Sequence, residues 1–146
     1  MEDNMTICKK AWLLTLLFAA VFTLQLYAQF SGGSGTEADP YQVASAADLN
    51  NVRNYLSSHF IQIADINLGV APWNVGEGWV PIGTVDISYT GHYNGNDFAV
   101  LNLYINRPIT DYVGLFGYIS QATITSIAVT NVNVIGNSVV GGLVGL

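Results

Sequence analysis

The sequence predicts an all-β fold, a β-solenoid of about three coils behind a short N-terminal capping helix, on three observations. The run from Tyr112 to Leu146 is apolar, β-branched, broken by glycines and nearly free of charge. A spacing recurs: Ile61, Ile63, Ile66 and Leu68 lie at offsets of two, three and two, as do Phe98, Val100, Leu103 and Ile105, and then Ala122, Ile124, Ile127 and Val129. Within each pair of successive copies the separation is constant at every position, and it is longer from the first copy to the second than from the second to the third. Finally, Gly114-Leu115-Phe116-Gly117 returns as Gly142-Leu143-Val144-Gly145, a second and looser register. Inward side chains of a strand recur every two positions, so a step of three marks a bend or bulge. A bend recurring in successive copies is what a coil needs to turn around a core, and glycine-punctuated β-branched repeats of this length point to a solenoid rather than a sandwich.

The chain has 146 residues, about one domain by length. Residues 1–28 read as a cleaved signal peptide: Lys9 and Lys10, an apolar core from Ala11 to Leu26, then Leu26-Tyr27-Ala28 before Gln29. The core is shorter than the roughly 20 apolar residues of a membrane span, so no span is expected after cleavage. Cys8, the single cysteine, leaves with this segment, which removes disulfides and thiol chemistry from the exported part. Glu2, Asp3, Lys9 and Lys10 cancel, so the rest keeps the whole net charge of −6, with Arg53 and Arg107 its sole cations. Two arginines make no basic stripe, and no nucleic-acid partner is expected.

Residues 29–44 form a small, glycine-rich lead-in read as flexible. Gly32-Gly33-Ser34-Gly35-Thr36-Glu37 is close to one copy of a calcium-binding nonapeptide, but that motif works by stacking and no second copy follows. Residues 45–57 are the capping helix: Ser45 with Asp48 three positions on resembles a capping box, and Leu49, Val52 and Leu56 share a face. Residues 58–146 carry the solenoid repeats. Between the first two copies, Gly69 to Thr84 reads as a loop that leaves the coil on one face, the place where repeat proteins often bind. Asn94-Gly95 supplies a turn before the second copy.

Val140 to Gly145, Val113 to Gly117 and Gly91 to Ile105, with the lead-in from Gly35 to Val52, resemble the GLUG repeat proteins of bacteria. The resemblance implies a right-handed parallel β-helix in a secreted or cell-surface protein, and it brings no catalytic residues. It also implies further repeats after Leu146, which makes this an N-terminal fragment whose last coil lacks its cover.

No enzyme is expected. Asp65, Asp97 and Asp111 do not share one stacked position and read as turn formers, and Arg107 sits in a connection before Pro108. His59 and His92 are far apart in sequence and have no second ligand at a diagnostic spacing, so neither metal nor cofactor is expected. Trp73, Trp79, Tyr89, Tyr93 and Tyr104 are mostly packing residues. Of these, Trp73, Trp79 and Tyr93 are the candidate ligand-binding set, because exposed aromatic faces can stack on sugars or anchor a protein, and Trp73 and Trp79 lie on the loop expected to project. The function expected is a surface scaffold for adhesion to carbohydrate or a cell-surface protein. The alternative is the non-catalytic N-terminal part of a larger secreted peptidase or polysaccharide-degrading enzyme.

Overall fold

A computed structural model describes residues 29–146. The signal peptide expected over residues 1–28 lies outside the described residues. Among the described residues no helix is long and apolar enough to cross a membrane.

The fold is mostly parallel strand with little helix, compatible with the predicted β-solenoid. The strands are β1 (Tyr41–Val43), β2 (His59–Gln62), β3 (Ile66–Asn67), β4 (His92–Asn94), β5 (Ala99–Leu101), β6 (Tyr104–Asn106), β7 (Thr123–Thr125), β8 (Ala128–Thr130) and β9 (Asn133–Ile135). They form three sheets, ordered β1-β2-β4-β7, β3-β5-β8 and β6-β9, and every pairing between them is parallel. The chain visits the sheets in rotation and lays each strand beside its counterpart one circuit earlier.

Tight corners make this possible. Asn102 joins β5 to β6 and Asn131 joins β8 to β9, both with positive φ (59° and 51°), while Ser126 does the same between β7 and β8 (49°). Asparagine visits the left-handed region more readily than other non-glycine residues. Its side chain also finds a partner here: Asn102 Nδ2 donates to Asn67 Oδ1 at 2.9 Å, and Asn131 Nδ2 donates to Asn102 Oδ1. The corners are thereby tied together from coil to coil.

The register corrects the predicted repeat. Phe60 lies beside Tyr93 and Tyr93 beside Ile124, Ile66 beside Val100 and Val100 beside Val129, and Ile105 beside Val134. The repeated offsets had matched Ile66 with Leu103 and Ile124 with Val100, and the observed pairing overturns both alignments. Each step of three does mark a bend. However, the bends after Ile63 and Ile124 lead from the first sheet to the second, whereas that after Val100 leads from the second to the third. The looser register is the one used: Phe116 bridges Val144, its counterpart in the second glycine motif.

The core runs up the inside of the stack. Phe60 and Tyr93 stack with centroids 6.2 Å apart, and Phe116 packs against Tyr93 at 5.7 Å and Tyr89 at 4.9 Å. Ile66, Leu68, Val100, Leu103 and Ile105 complete it, all fully buried. Burial of each such side chain contributes about 1.5–3 kcal/mol. In the last circuit the inward residues Ile124, Ile127, Val129 and Val134 are only partly covered.

The helix α1 (Ala46–Asn51) starts where predicted. Ser45 Oγ accepts from Asp48 N at 3.1 Å, and Asp48 Oδ2 accepts from Ala44 N at 3.0 Å and from Ser31 Oγ at 2.8 Å. It ends sooner than expected, tightening into a 3-10 turn over Val52–Asn54. Asn50, Asn51 and Asn54 weaken it there, since asparagine competes for backbone and local hydrogen bonds. Leu49 and Val52 enter the core.

The lead-in is not the flexible segment its glycines predicted. Phe30 is buried and stacks on Tyr41 at 4.4 Å, β1 pairs with β2, and the N–H groups of Ser34, Gly35 and Thr36 all point to the Asp39 carbonyl.

Candidate functional site

The loop from Gly69 to Thr84 does not project its tryptophans as the sequence predicts. It instead folds back over the third sheet. Trp79 N donates to Tyr104 O at 2.8 Å and Asn106 N to Glu77 O at 3.0 Å, so the segment runs antiparallel to β6 in the place a third strand of the first circuit would take. It then rejoins the stack, with Ile82 bridging Phe116 and Tyr89 bridging Ile119 in parallel.

Both arginines pin this loop. Arg53 donates through Nη2 to Val80 O at 2.8 Å and lies 5.3 Å from the Trp79 ring, while Arg107 pairs with Glu77 at 2.7 Å. Burial, and then the nearby Arg107, lower the pKa of Arg53 from its ordinary value. A guanidinium so shifted still carries its charge.

The aromatic candidates are consequently packed rather than displayed. Trp79 is fully buried with its Nε1 donating to Leu115 O at 3.0 Å, Tyr93 is 1% exposed with its hydroxyl donating to Gln62 Oε1 at 3.1 Å, and Trp73 is half-buried, 5.5 Å from Trp79. Tyr89 is also buried, and its hydroxyl has no hydrogen-bond partner among the described residues. Burial raises the pKa of the Tyr89 phenol well above its usual value. Burial, then Tyr89 and Asp48, do the same for Tyr93.

The acids hold turns. Asp65 Oδ1 accepts from Ala99 N at 2.8 Å, Asp97 occupies a corner with positive φ, and Asp111 Oδ1 accepts from Asn137 and Ser138.

Two histidines that sequence distance had separated are brought together. His59 and His92 are register partners on β2 and β4, with rings 4.5 Å apart and 12° from parallel. They line a shallow groove of about 250 Å³ on the outer face of the first sheet, with Glu37 and Pro40 at one end and Asn94, Thr123 and Thr125 at the other. The signal was present in the sequence as a separation close to one circuit. A second groove, on the adjoining face, is lined by Asn74, Asn102, Tyr104, Asn131 and Asn133. Asn74, Asn102, Asn131 and Tyr104 each donate within the protein, while Asn133 is exposed and the amide oxygens of Asn74 and Asn131 remain as acceptors toward the groove.

No protein-family model matches the chain, and no solved structure matches it. It is similar to a protein of Evansella cellulosilytica described as a Gly-rich membrane protein, 44% identical over 94 residues, which is 63% of this chain and 11% of that protein. It is also similar to halomucin of Haloquadratum walsbyi, 35% identical over 121 residues, which is 77% of this chain and 1% of that protein. The chain thus spans a small part of the length of these relatives, one named as a glycine-rich membrane protein and the other as a halomucin.

Proposed function

We propose that this chain is part of a surface-associated, non-enzymatic scaffold, a right-handed parallel β-helix of the GLUG type that presents polar outer faces to carbohydrate or to a cell-surface protein. The observation that carries the reading is the all-parallel register. Each of the last two circuits, β4-β5-β6 and β7-β8-β9, adds one strand to each sheet, so coils can be added without altering the faces already built. Such a body grows in length while its outward columns remain free for contact. The partly covered inward residues of the last circuit, Ile124, Ile127, Val129 and Val134, are suited to a further repeat of the same full-length chain stacked on β7, β8 and β9.

The names of the two relatives support a surface or secreted location, as does the signal-peptide pattern before Gln29. The Asn102, Tyr104 and Asn133 groove is the face best suited to sugar hydroxyls, since amides can donate and accept together and a phenol ring supplies an apolar flank. The test is twofold. Protease shaving of intact cells should release peptides of the full-length protein, and a glycan array should register binding that Tyr104→Ala with Asn133→Ala abolishes while circular dichroism is unchanged. Protection from shaving, with the protein found in the cell interior, would overturn the surface reading. Array binding unaffected by the double substitution would remove this groove as the contact face.

A further inference from the structure

We propose that His59 and His92 form a two-imidazole site for a divalent transition-metal ion of the Cu2+, Ni2+ or Zn2+ class on the outer face of the first sheet. The inference goes beyond the scaffold reading and does not depend on adhesion.

Imidazole is the side chain these borderline ions favour, and two of them on adjacent rungs make a minimal chelate. Parallel pairing sets the rungs of one column roughly 4.8 Å apart. The observed ring separation of 4.5 Å is that spacing expressed at the side chains. Bonds of about 2.0–2.1 Å from one ion require the two donor nitrogens to stand roughly 3 Å apart. Both rings face outward, His92 exposed and His59 half-buried, so the convergence asks for rotation about their Cα–Cβ and Cβ–Cγ bonds and not for movement of the strands.

The surroundings fit a dication better than a second cation of the protein. Glu37 brings a carboxylate to the same groove, and the two arginines are engaged at the loop over the third sheet. The oxygens of Asn94, Thr123 and Thr125 are neutral neighbours. Among the described residues no set of three or more His, Cys, Asp or Glu side chains converges on one point, so the protein supplies two nitrogens and the remaining positions fall to water or to Glu37 after it swings in. Such a site is open and exchangeable, unlike a closed structural zinc centre.

The register offers a test by gain as well as by loss. Thr123 is the next rung of the same column, paired with His92. Titration of the untagged full-length protein with CuCl2 and NiCl2, by calorimetry and by electron paramagnetic resonance of the copper form, should show a site with two nitrogen ligands. His59→Ala and His92→Ala should each weaken it by about tenfold or more, at least what loss of a ligand's outer partner costs. Thr123→His should tighten it by a comparable factor, and the His59→Ala, His92→Ala double variant sets the background from any donors elsewhere. A wild-type copper spectrum with one imidazole, or affinity unchanged in either single variant, overturns the proposal. Should an alanine variant fail to fold, the Thr123→His titration decides: no gain in affinity overturns it.

Discussion

Replacing Trp79 by alanine separates a packed ring from a displayed one. The indole is fully buried, lies against Trp73 at 5.5 Å and under Arg53 at 5.3 Å, and donates its Nε1–H to Leu115 O. Truncating a buried tryptophan to alanine costs about 3–5 kcal/mol through lost transfer energy and the cavity left behind. The Leu115 carbonyl is not orphaned, because Ile82 N also donates to it at 3.1 Å, so no separate desolvation penalty is added. Loss of the ring under Arg53 adds to the lower end of the range, since such a contact contributes about 0.5–1 kcal/mol. A total of about 4 kcal/mol is a large share of the roughly 5–15 kcal/mol typical of a domain. With a urea slope of about 2 kcal/mol per molar, the midpoint falls by about 2 M. Trp79→Phe keeps the ring against Arg53 and loses mainly the N–H bond, so its cost is about 1–2 kcal/mol. Urea unfolding followed by far-ultraviolet circular dichroism reads both. A Trp79→Ala midpoint within about 0.5 M of wild type would refute the inward placement of this loop.

Two further perturbations test the corners and the buried phenols. Gly78 has φ +71°, and a Cβ there would lie 2.2 Å from Tyr104 O, whereas Gly76 has φ +61° with open space around its Cβ position. Gly76→Ala is expected to cost only the left-handed penalty of about 1–2 kcal/mol, and Gly78→Ala clearly more, measured by the same urea unfolding. Equal costs would mean that the antiparallel contact with β6 does not form. In alkali, Tyr89 and Tyr93 keep their protons in the folded state at pH values where the unfolded chain, with phenol pKa near about 10, has lost them. The native state then holds more protons than the unfolded one, so the stability is complete below about pH 10 and falls as pH climbs toward the raised folded values, by about 1.4 kcal/mol per unit for each phenol. Tyr89 and Tyr93 should give tyrosinate absorbance only together with loss of circular dichroism. Ionisation of Tyr89 or Tyr93 before any loss of structure would contradict their burial.

What the sequence made legible was local. Ser45 and Asp48 are three residues apart and announce the helix start by a hydrogen bond within one turn. The bends after Ile63, Val100 and Ile124 were legible because a step of three must flip a strand's inward face. Their phase was not, because a circuit turns more than one corner and each leaves the same mark, so bends of different kinds could be superposed. The fate of the Gly69–Thr84 loop was also hidden. Its glycines and prolines describe a turn-rich segment, but its direction is set by Arg53 and Arg107, which lie outside it, one well before and one well after. The flexible lead-in failed for a similar reason: one residue, Phe30, docks it against Tyr41, Tyr55 and Phe60.

The histidine pair shows how chemistry is written in such a stack. On a helix, cooperating side chains recur every three or four residues, and on a hairpin they face each other across a turn. Here Phe60, the next residue on the strand, points into the core, while His92, one full circuit later in the chain, is in ring contact. The same rule generates the column of Ile61, Asn94 and Thr125, and side-chain hydrogen bonds link Asn67, Asn102 and Asn131 from one circuit to the next. Inward columns are bound by packing, as Phe60 with Tyr93 and Ile66 with Val100 are, and a change in them costs the core. Outward columns carry no such constraint, since a surface substitution away from caps and networks stays within about 0.5 kcal/mol. Thr123→His therefore changes the chemistry of a column while leaving its scaffold intact, and a constellation invisible at short spacing becomes the ordinary way for this fold to assemble a site.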